Sequence, residues 1–327
     1  MLLIVSMGVP VKKPDLKQEG KNFNKAVIQI IDWDKKTIVD EISYKSPPEN
    51  LGPGLSMQFK GASIFKGKYF VVTNTEILRY QLSNWELETV ISHPTFNDLH
   101  GVLPFKNLLY VCNTGLEIVQ AVSDNSEIKQ EINLATVPTY ERFNKNQDYR
   151  LIATTKPHEI HVNHLFVIDG ELWATRGHKS DCINVYDDSQ RISLRCSSGN
   201  RENVLCHDGL VRDSLIYFTS VNGYILVVDK IKRTIVKEIN INRIKNLDKR
   251  LGWVRGLEIV DNYAFIATSK LRSTSFKAYT RWVLTGNEPS MKSSIIQIDL
   301  NKNKIVYRYE MDKYHSHAIY SILKHPD

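Results

Sequence analysis

Short runs of β-branched and aromatic residues recur along the whole chain, and polar turn residues separate them. Examples are "YFVVTN" at 69–74, "LLYVCN" at 108–113, "LIYFTS" at 215–220 and "YAFIAT" at 263–268. A second apolar run follows each of these, as in "EILRYQL" and "YILVVD", and a third follows a polar turn, as in "ELETVI" and "TIVKEIN". Runs of this length and composition predict strands, so the sequence indicates an all-β fold.

The runs are grouped into units, each with a leading strand followed by three more. Repeats of about 40–50 residues that contain four strands are typical of β-propeller blades. "YHSHAIYSILKHPD" at the C-terminus is a leading strand without followers, and the N-terminal "LLIVSMG", "AVIQIIDWD" and "KTIVDEISY" are followers without a leader. We therefore predict one domain over 1–327, a six-bladed propeller in which the two ends complete one blade. Seven blades would require a further unit that the sequence does not show.

Three long segments interrupt the repeats, near 9–24, 136–157 and 270–292. In a propeller, the loops that join fourth to first strands and second to third strands open on the same face. We therefore expect these segments to form a lid over one end of the central channel. Their aromatic and basic residues include Tyr140, Arg142, Tyr149, Arg150, Arg272, Tyr279, Arg281 and Trp282.

The leading strand of each blade is the innermost one, so its first residues should lie at the mouth of the channel. Aligning the six strands places a polar residue at this position in every blade. In blade order these residues are His317, Lys60, His100, Asn163, His207 and Arg255. Inner strands otherwise bury apolar side chains, so a polar set at one register predicts a functional ring. A glycine follows Lys60, His100 and Arg255, which leaves room for a bulky side chain or a close ligand.

A second row of side chains is expected above this ring, because strand residues two apart point to the same side. In it lie Gln58, Asp98, His161, Leu205, Trp253 and His315. Except for Leu205 and His161, we assign this row to substrate binding, together with Asn163 of the ring. Three residues from loops on the same face join them, namely Arg176, His178 and Arg272.

The histidines of the ring fall in alternate blades, so their imidazoles should converge on the channel axis. Three neutral imidazoles are a suitable ligand set for Fe, Mn, Zn or Cu, which ligand type alone does not distinguish. We predict that His100, His207 and His317 bind such an ion. Lys60 and Arg255 lie between them and would form a cradle for an anion, which the ring could also bind without a metal.

The order of landmarks resembles an uncharacterised group of bacterial six-bladed propellers. "NDLHGV", "HVNHLFVIDGELWATRG", "CHDGLVRDSLIYFTS" and "RGLEIVDNYAFIATSKLR" carry this resemblance over roughly 97–272. It implies the fold and the polar ring, but no reaction. The three histidines alone resemble the site of the oligogalacturonate lyase propellers, where three histidines and a glutamine hold manganese. Those propellers have seven blades, and the fourth ligand here would be Asn163, His161 or Gln58.

These features favour a metal-dependent enzyme that acts on a small anionic, uronate-like or other acidic substrate, with lyase or isomerase chemistry first. The ion would polarise an oxygen of the substrate, His161 or Lys60 would move a proton, and Arg255 would fix the anionic group. Metal-assisted hydrolysis of the lactonase type and oxygen chemistry at iron are the alternatives within this class. A non-catalytic propeller that binds carbohydrate or peptide is the alternative outside it, and a protein scaffold is a weaker one.

Composition adds only broad limits. The net charge of +7 is spread along the chain, and no basic helix or recognition motif is present, so we expect no nucleic-acid partner. The N-terminal apolar run is short and lacks a preceding basic region, which indicates a strand and not a signal peptide or membrane span. The four cysteines show no metal-binding spacing, and we expect reduced thiols in a cytoplasmic protein. The sequence indicates no oligomeric state.

Overall fold

The computed structural model describes residues 1–11, 21–196, 205–244, 251–269, 292–311 and 318–326. Twenty-four strands within these ranges form six four-stranded antiparallel sheets. In chain order they are β1 Leu2–Pro10, β2 Phe23–Asp32, β3 Thr37–Tyr44, β4 Ala62–Phe65, β5 Lys68–Val72, β6 Glu76–Gln81, β7 Leu87–Ser92, β8 Leu99–Phe105, β9 Leu108–Asn113, β10 Ile118–Val122, β11 Ile128–Asn133, β12 Val162–Ile168, β13 Glu171–Arg176, β14 Asp181–Asn184, β15 Arg191–Ser193, β16 Cys206–Arg212, β17 Leu215–Ser220, β18 Tyr224–Asp229, β19 Thr234–Asn240, β20 Trp253–Val260, β21 Tyr263–Ser269, β22 Ser294–Asp299, β23 Lys304–Glu310 and β24 Ala318–Lys324.

The sheets form a closed ring, which confirms the predicted six-bladed propeller. Five blades are continuous in sequence, β4–β7, β8–β11, β12–β15, β16–β19 and β20–β23, and the remaining blade has the order β24-β1-β2-β3. In this blade β1 pairs antiparallel with β24, from Leu3 opposite Lys324 to Gly8 opposite Ala318. The predicted closure by the two ends of the chain is therefore also confirmed, and it gives β1 a hydrogen-bonded strand on each side.

Six apolar clusters hold the ring together, one between each pair of neighbouring blades. The cluster that joins the last blade to the first contains Phe265 and Ile295 on one side and Leu3, Met7 and Ile319 on the other. Strand alternation produces this arrangement, because side chains on the two faces of one sheet pack against two different neighbours. The second strands of the blades, such as β1, β5 and β9, are thus buried on both faces.

Helical structure in the described residues is limited to short turns. One α-helical turn, α1 Thr139–Arg142, and one 3₁₀ turn, Tyr149–Leu151, lie in the 136–157 segment. Two further 3₁₀ turns cover Gly177–Lys179 and Ile241–Arg243. In the described part of the chain, no helix is long and apolar enough to cross a bilayer.

Candidate functional site

A cavity of about 420 Å³ opens at the end of the channel where the inner strands begin. Five of the six predicted ring residues line it, and so do five residues of the predicted second row. These ten are Lys60, His100, Asn163, His207, Arg255, Gln58, Asp98, His161, Leu205 and Trp253. Residues far apart in the sequence therefore meet in one place, as the repeat predicted.

A β-bulge at the same position of the inner strands aims these side chains at the channel. In β16, Cys206 pairs with Ser220 and Gly209 with Phe218, so His207 and Asp208 together face the single residue Thr219. The same two-against-one pairing occurs in β8, β12 and β20, at His100, Asn163 and Arg255. A bulge of this kind redirects a side chain out of the regular alternation. The ring therefore depends on a backbone irregularity that recurs in four of the described inner strands.

A bulge also occurs in β24, and it corrects one predicted alignment. In β24, Ile319 pairs with Met7 and Ser321 with Ser6, so the two-against-one position is Ile319 with Tyr320. By this register Ile319, and not His317, is the blade-1 equivalent of His100. Ile319 is fully buried in the apolar cluster between the last and first blades, and Tyr320 lines the cavity. His315, His317 and Arg272 lie outside the described residues.

Two of the glycines that follow ring residues accommodate the neighbouring backbone. A Cβ atom at Gly61 would lie 2.3 Å from the carbonyl oxygen of His100, and the Gly61 N–H donates to that oxygen. At Gly256, φ is +66°, a conformation that favours glycine, and a Cβ would be 3.1 Å from the Ile322 nitrogen. The space that we predicted for a side chain or ligand is therefore occupied by the adjacent inner strand.

His207 and Asp208 form a buried pair next to the cavity. The His207 Nδ1–H donates to Asp208 Oδ2 over 2.9 Å, and Nε2 has no hydrogen-bond partner among the described residues. The same carboxylate oxygen accepts from the Gly256 N–H at 2.7 Å and from the Thr219 hydroxyl at 3.2 Å. Burial alone would raise the pKa of Asp208, but His207 and Gly256 lower it to about 2. Asp208 therefore stays ionised and accepts from the His207 Nδ1–H, so Nε2 is the ring nitrogen left without a partner.

Four further imidazoles lie beside this pair. The ring centroid of His100 is 6.0 Å from that of His207 and 4.9 Å from that of His161, which in turn stacks on His158 and His178. The His100 Nδ1–H donates to the Asp98 carbonyl over 2.7 Å. Burial lowers the pKa of His100 well below its usual value, and the Lys60 charge adds to this effect. Burial and the nearby His100 do the same to His161, so both rings are neutral at pH 7.

The two cations of the ring have different partners. The Lys60 side chain is 1% exposed, and its ammonium forms an ion pair with Asp98 Oδ1. Arg255 has no carboxylate partner among the described residues, and its buried Nε and Nη1 have no hydrogen-bond acceptor there. The Arg255 guanidinium is held over two rings instead, with Cζ 5.1 Å from the centroid of Trp253 and 4.5 Å from that of Tyr320. Arg255 is therefore the cation that is free to bind an anion in the cavity.

Loops complete the cavity wall. Ile152, Ala153, Thr154 and Lys156 of the 136–157 segment line it, as do Leu51, Leu55 and Ser56 from the loop between β3 and β4. The cavity-lining residues do not include Tyr140, Arg142, Tyr149 or Arg150, which contact other parts of the protein. The part of the segment that lines the cavity is thus less aromatic and less basic than we expected.

The two predicted binding residues from the short loop are placed differently. His178 lines the cavity, and its Nδ1–H donates to the His158 carbonyl over 3.0 Å. Arg176 is not among the cavity-lining residues, because its guanidinium forms two hydrogen bonds with Asp181, at 2.9 and 2.6 Å, and a third with the Leu134 carbonyl. Arg176 therefore holds the blade together and does not face a ligand.

The described residues do not complete a metal site. They contain no group of three or more His, Cys, Asp or Glu side chains that could hold an ion. His100 and His207 do have the hydrogen-bonded Nδ1 that metal-binding histidines commonly show, and the orphaned Nε2 of His207 suits a ligand atom. Two of the three predicted donors thus fit an ion, and the third, His317, lies outside the described residues.

The fold has counterparts among solved structures, although no protein-family model and no curated protein matches the chain. A chain in a crystal structure of a nidogen/laminin complex aligns with a TM-score of 0.56 and 10% identity, over 98% of this chain and 97% of that one. A streptogramin B lyase structure aligns with a TM-score of 0.51 and 12% identity, over 95% and 88%. At these identities the likeness shows the propeller fold alone, and the resemblance to an uncharacterised bacterial group stays a prediction.

Proposed function

We propose that the cavity binds a small carboxylate and that the protein is a lyase or isomerase that removes a proton from it. The observation that carries this proposal is the pairing of a fixed base with an unpaired cation. His207 presents a bare Nε2 while Asp208 holds its Nδ1–H, and Arg255 presents Nε–H and Nη1–H without an acceptor. Removal of a proton from a carboxylic acid substrate requires both groups. His207 would accept the proton, and Arg255 would bind the carboxylate.

The roles follow from these contacts. Arg255 would bind the carboxylate, with Trp253 and Tyr320 holding the guanidinium plane. His207 Nε2 would accept a proton from the carbon next to the carboxylate, and Asp208 would stabilise the imidazolium that forms. In a lyase, the electron pair of the broken C–H bond would form a double bond to the neighbouring carbon, as a leaving group departs from that carbon with its bonding electrons and a proton from His161. In an isomerase, the electron pair would accept a proton from His161 on the opposite face of the same carbon. Lys60, which we expected to move a proton, has its ammonium bound to Asp98, so His161 remains the second proton carrier.

Asp208 also links the base to the anion receptor. Its Oδ2 accepts from His207 in one blade and from the Gly256 N–H, next to Arg255, in the next blade. The two groups that would contact the substrate are therefore positioned by one carboxylate. The streptogramin B lyase likeness adds that a propeller of this shape can belong to a lyase. The likeness concerns the fold, and the proposal rests on the side chains.

A metal-assisted form of the same reaction is the second candidate, and the orphaned His207 Nε2 also supports it. His100 and His207 would contribute to holding a divalent ion, which when bound would polarise the carboxylate. Elemental analysis of protein purified without a histidine tag tests this form. A stoichiometric metal that is lost in both His100→Ala and His207→Ala would support it, and metal-free protein that retains activity would contradict it.

The reaction is tested by incubating the protein with a panel of small carboxylic acids in deuterated water. NMR would follow exchange of the hydrogen next to the carboxylate and the appearance of alkene signals. We expect at least one acid to react, and we expect His207→Gln to slow that reaction by about 100-fold or more, since a general base contributes about 10²–10⁴. His325→Gln, at the other end of β24, should retain the native rate.

Two results would contradict the enzymatic proposal. One is a His207→Gln variant that reacts at the native rate, because the base would then be elsewhere. The other is saturable binding of the acids without exchange or elimination, which would support the non-catalytic binding propeller instead.

A further inference from the structure

We infer that the ligand carries hydroxyl groups beside its anionic group, and that Asn163 and Gln58 select it through them. This inference rests on the proposed function, since it takes the carboxylate at Arg255 as given. It names the substrate class as a hydroxylated carboxylic acid. The cavity presents buried acceptors that only a ligand with hydrogen-bond donors can satisfy.

Asn163 is the strongest of these acceptors, because its amide orientation is fixed. Its Nδ2 donates to the Cys206 carbonyl over 2.8 Å, which directs Oδ1 away from that strand. The residue is 2% exposed, lines the cavity, and has no partner for Oδ1 among the described residues. A buried carbonyl oxygen without a donor is costly, so this position favours a ligand that brings one.

Gln58 provides a second acceptor in the neighbouring row. It is 6% exposed, lines the cavity, and its Oε1 likewise lacks a partner among the described residues. Its position is constrained by tight packing, because a Cβ atom at Gly8 would lie 2.5 Å from the Gln58 Cβ. With His207, three cavity-lining residues from three different blades therefore carry a buried acceptor atom without a partner among the described residues.

The donors and acceptors together restrict the ligand. Arg255 needs an acceptor, while Asn163 and Gln58 need donors, so a sulfate or a simple keto acid would leave both amides unsatisfied. An ammonium donor would bring a positive charge towards Arg255. Neutral hydroxyl groups satisfy the amides without that repulsion. The apolar Leu51 and Leu55 of the loop wall can contact the C–H face of such a molecule.

Calorimetric titration with three matched probes tests this inference. D-glucuronate carries a carboxylate and hydroxyls, cyclohexanecarboxylate has the carboxylate alone, and methyl glucoside has hydroxyls alone. We expect glucuronate to bind about tenfold or more tighter than cyclohexanecarboxylate, the effect of one or two hydrogen bonds to buried acceptors. Asn163→Leu should reduce this preference by about tenfold without weakening cyclohexanecarboxylate. Gln58→Met serves as a second variant in case Asn163→Leu does not fold.

The outcomes separate the two proposals. Equal binding of both acids, with both weakened in Arg255→Met, would overturn the hydroxyl inference and leave the carboxylate site intact. A preference for glucuronate that survives in both Asn163→Leu and Gln58→Met would overturn the assignment to these amides. Equal binding of methyl glucoside and glucuronate, unchanged in Arg255→Met, would overturn the proposed function itself, and so would the absence of binding by all three probes.

Discussion

Asp98→Asn is expected to destabilise the protein by about 3 kcal/mol at pH 7, because it leaves the Lys60 ammonium buried without a counter-charge. The Lys60 side chain is 1% exposed and its ion-pair partner Asp98 is 29% exposed. Removal of one partner of a fully buried pair costs about 3–5 kcal/mol, and the partial exposure of Asp98 places this case at the lower end. Burial would raise the pKa of Asp98, but Lys60 and the neighbouring histidines hold it well below its usual range.

Urea denaturation of three variants checks this expectation. Asn is the suitable replacement since Asp98 has φ +50°, a conformation that Asn tolerates. The double variant Lys60→Met/Asp98→Asn removes both charges and should recover at least half of the lost stability. Asp261→Asn is the matched control, because Asp261 has φ +52° but is exposed and forms no ion pair with a described residue. If Asp98→Asn costs no more than Asp261→Asn, the Lys60 pair does not stabilise the fold.

The architecture could be predicted from the sequence because each repeat contains a turn at a fixed distance from its ring residue. In five blades the inner strand and the second strand are joined by a two-residue turn, as at Lys106-Asn107 and Asp169-Gly170. The ring residue therefore lies a fixed number of positions before each turn. The blade that contains β24 and β1 has no such turn, since its strands come from opposite ends of the chain. Without the turn, alignment of the leading strands places His317 at the ring position, whereas the observed register assigns Ile319.

The contacts within the site are harder to predict from the sequence, because they depend on β-bulges and on residues of neighbouring blades. Strand alternation places Asp208 on the opposite side from His207, and only the bulge allows the two side chains to form a hydrogen bond. The string "CHDG" therefore predicts a ring histidine but not its hydrogen bond with Asp208. The sequence likewise does not indicate the ion pair of Lys60, because its partner Asp98 lies 38 residues away, in the next blade. Contacts between blades are not encoded in any local pattern.

The free energy of unfolding is expected to fall steeply as the pH is lowered from 7.5 to 5.0. Burial lowers the pKa of His100, His158, His161 and His164 in the folded protein, while in the unfolded chain these residues titrate near 6.5. Below pH 6.5 the unfolded chain therefore binds protons that the folded protein does not. Each such imidazole contributes a slope of up to about 1.4 kcal/mol per pH unit, and the four together give several kcal/mol per pH unit.

The histidines and the carboxylates of the site contribute to the pH dependence of stability in different pH ranges, so their contributions can be measured separately. Asp98 and Asp208 have lowered pKa values, so their contribution to stability is present above about pH 4 and is lost only as the pH falls below it. Urea midpoints measured between pH 7.5 and 5.0 thus report the histidines. His161→Gln should reduce the slope by up to about 1.4 kcal/mol per pH unit, whereas His325→Gln, outside the cluster, should leave it unchanged. A free energy of unfolding that does not change over this pH range would mean that the imidazoles accept protons in the folded protein. The histidine cluster would then be positively charged, and Arg255 would no longer be the one cation in the cavity assigned to bind the anion.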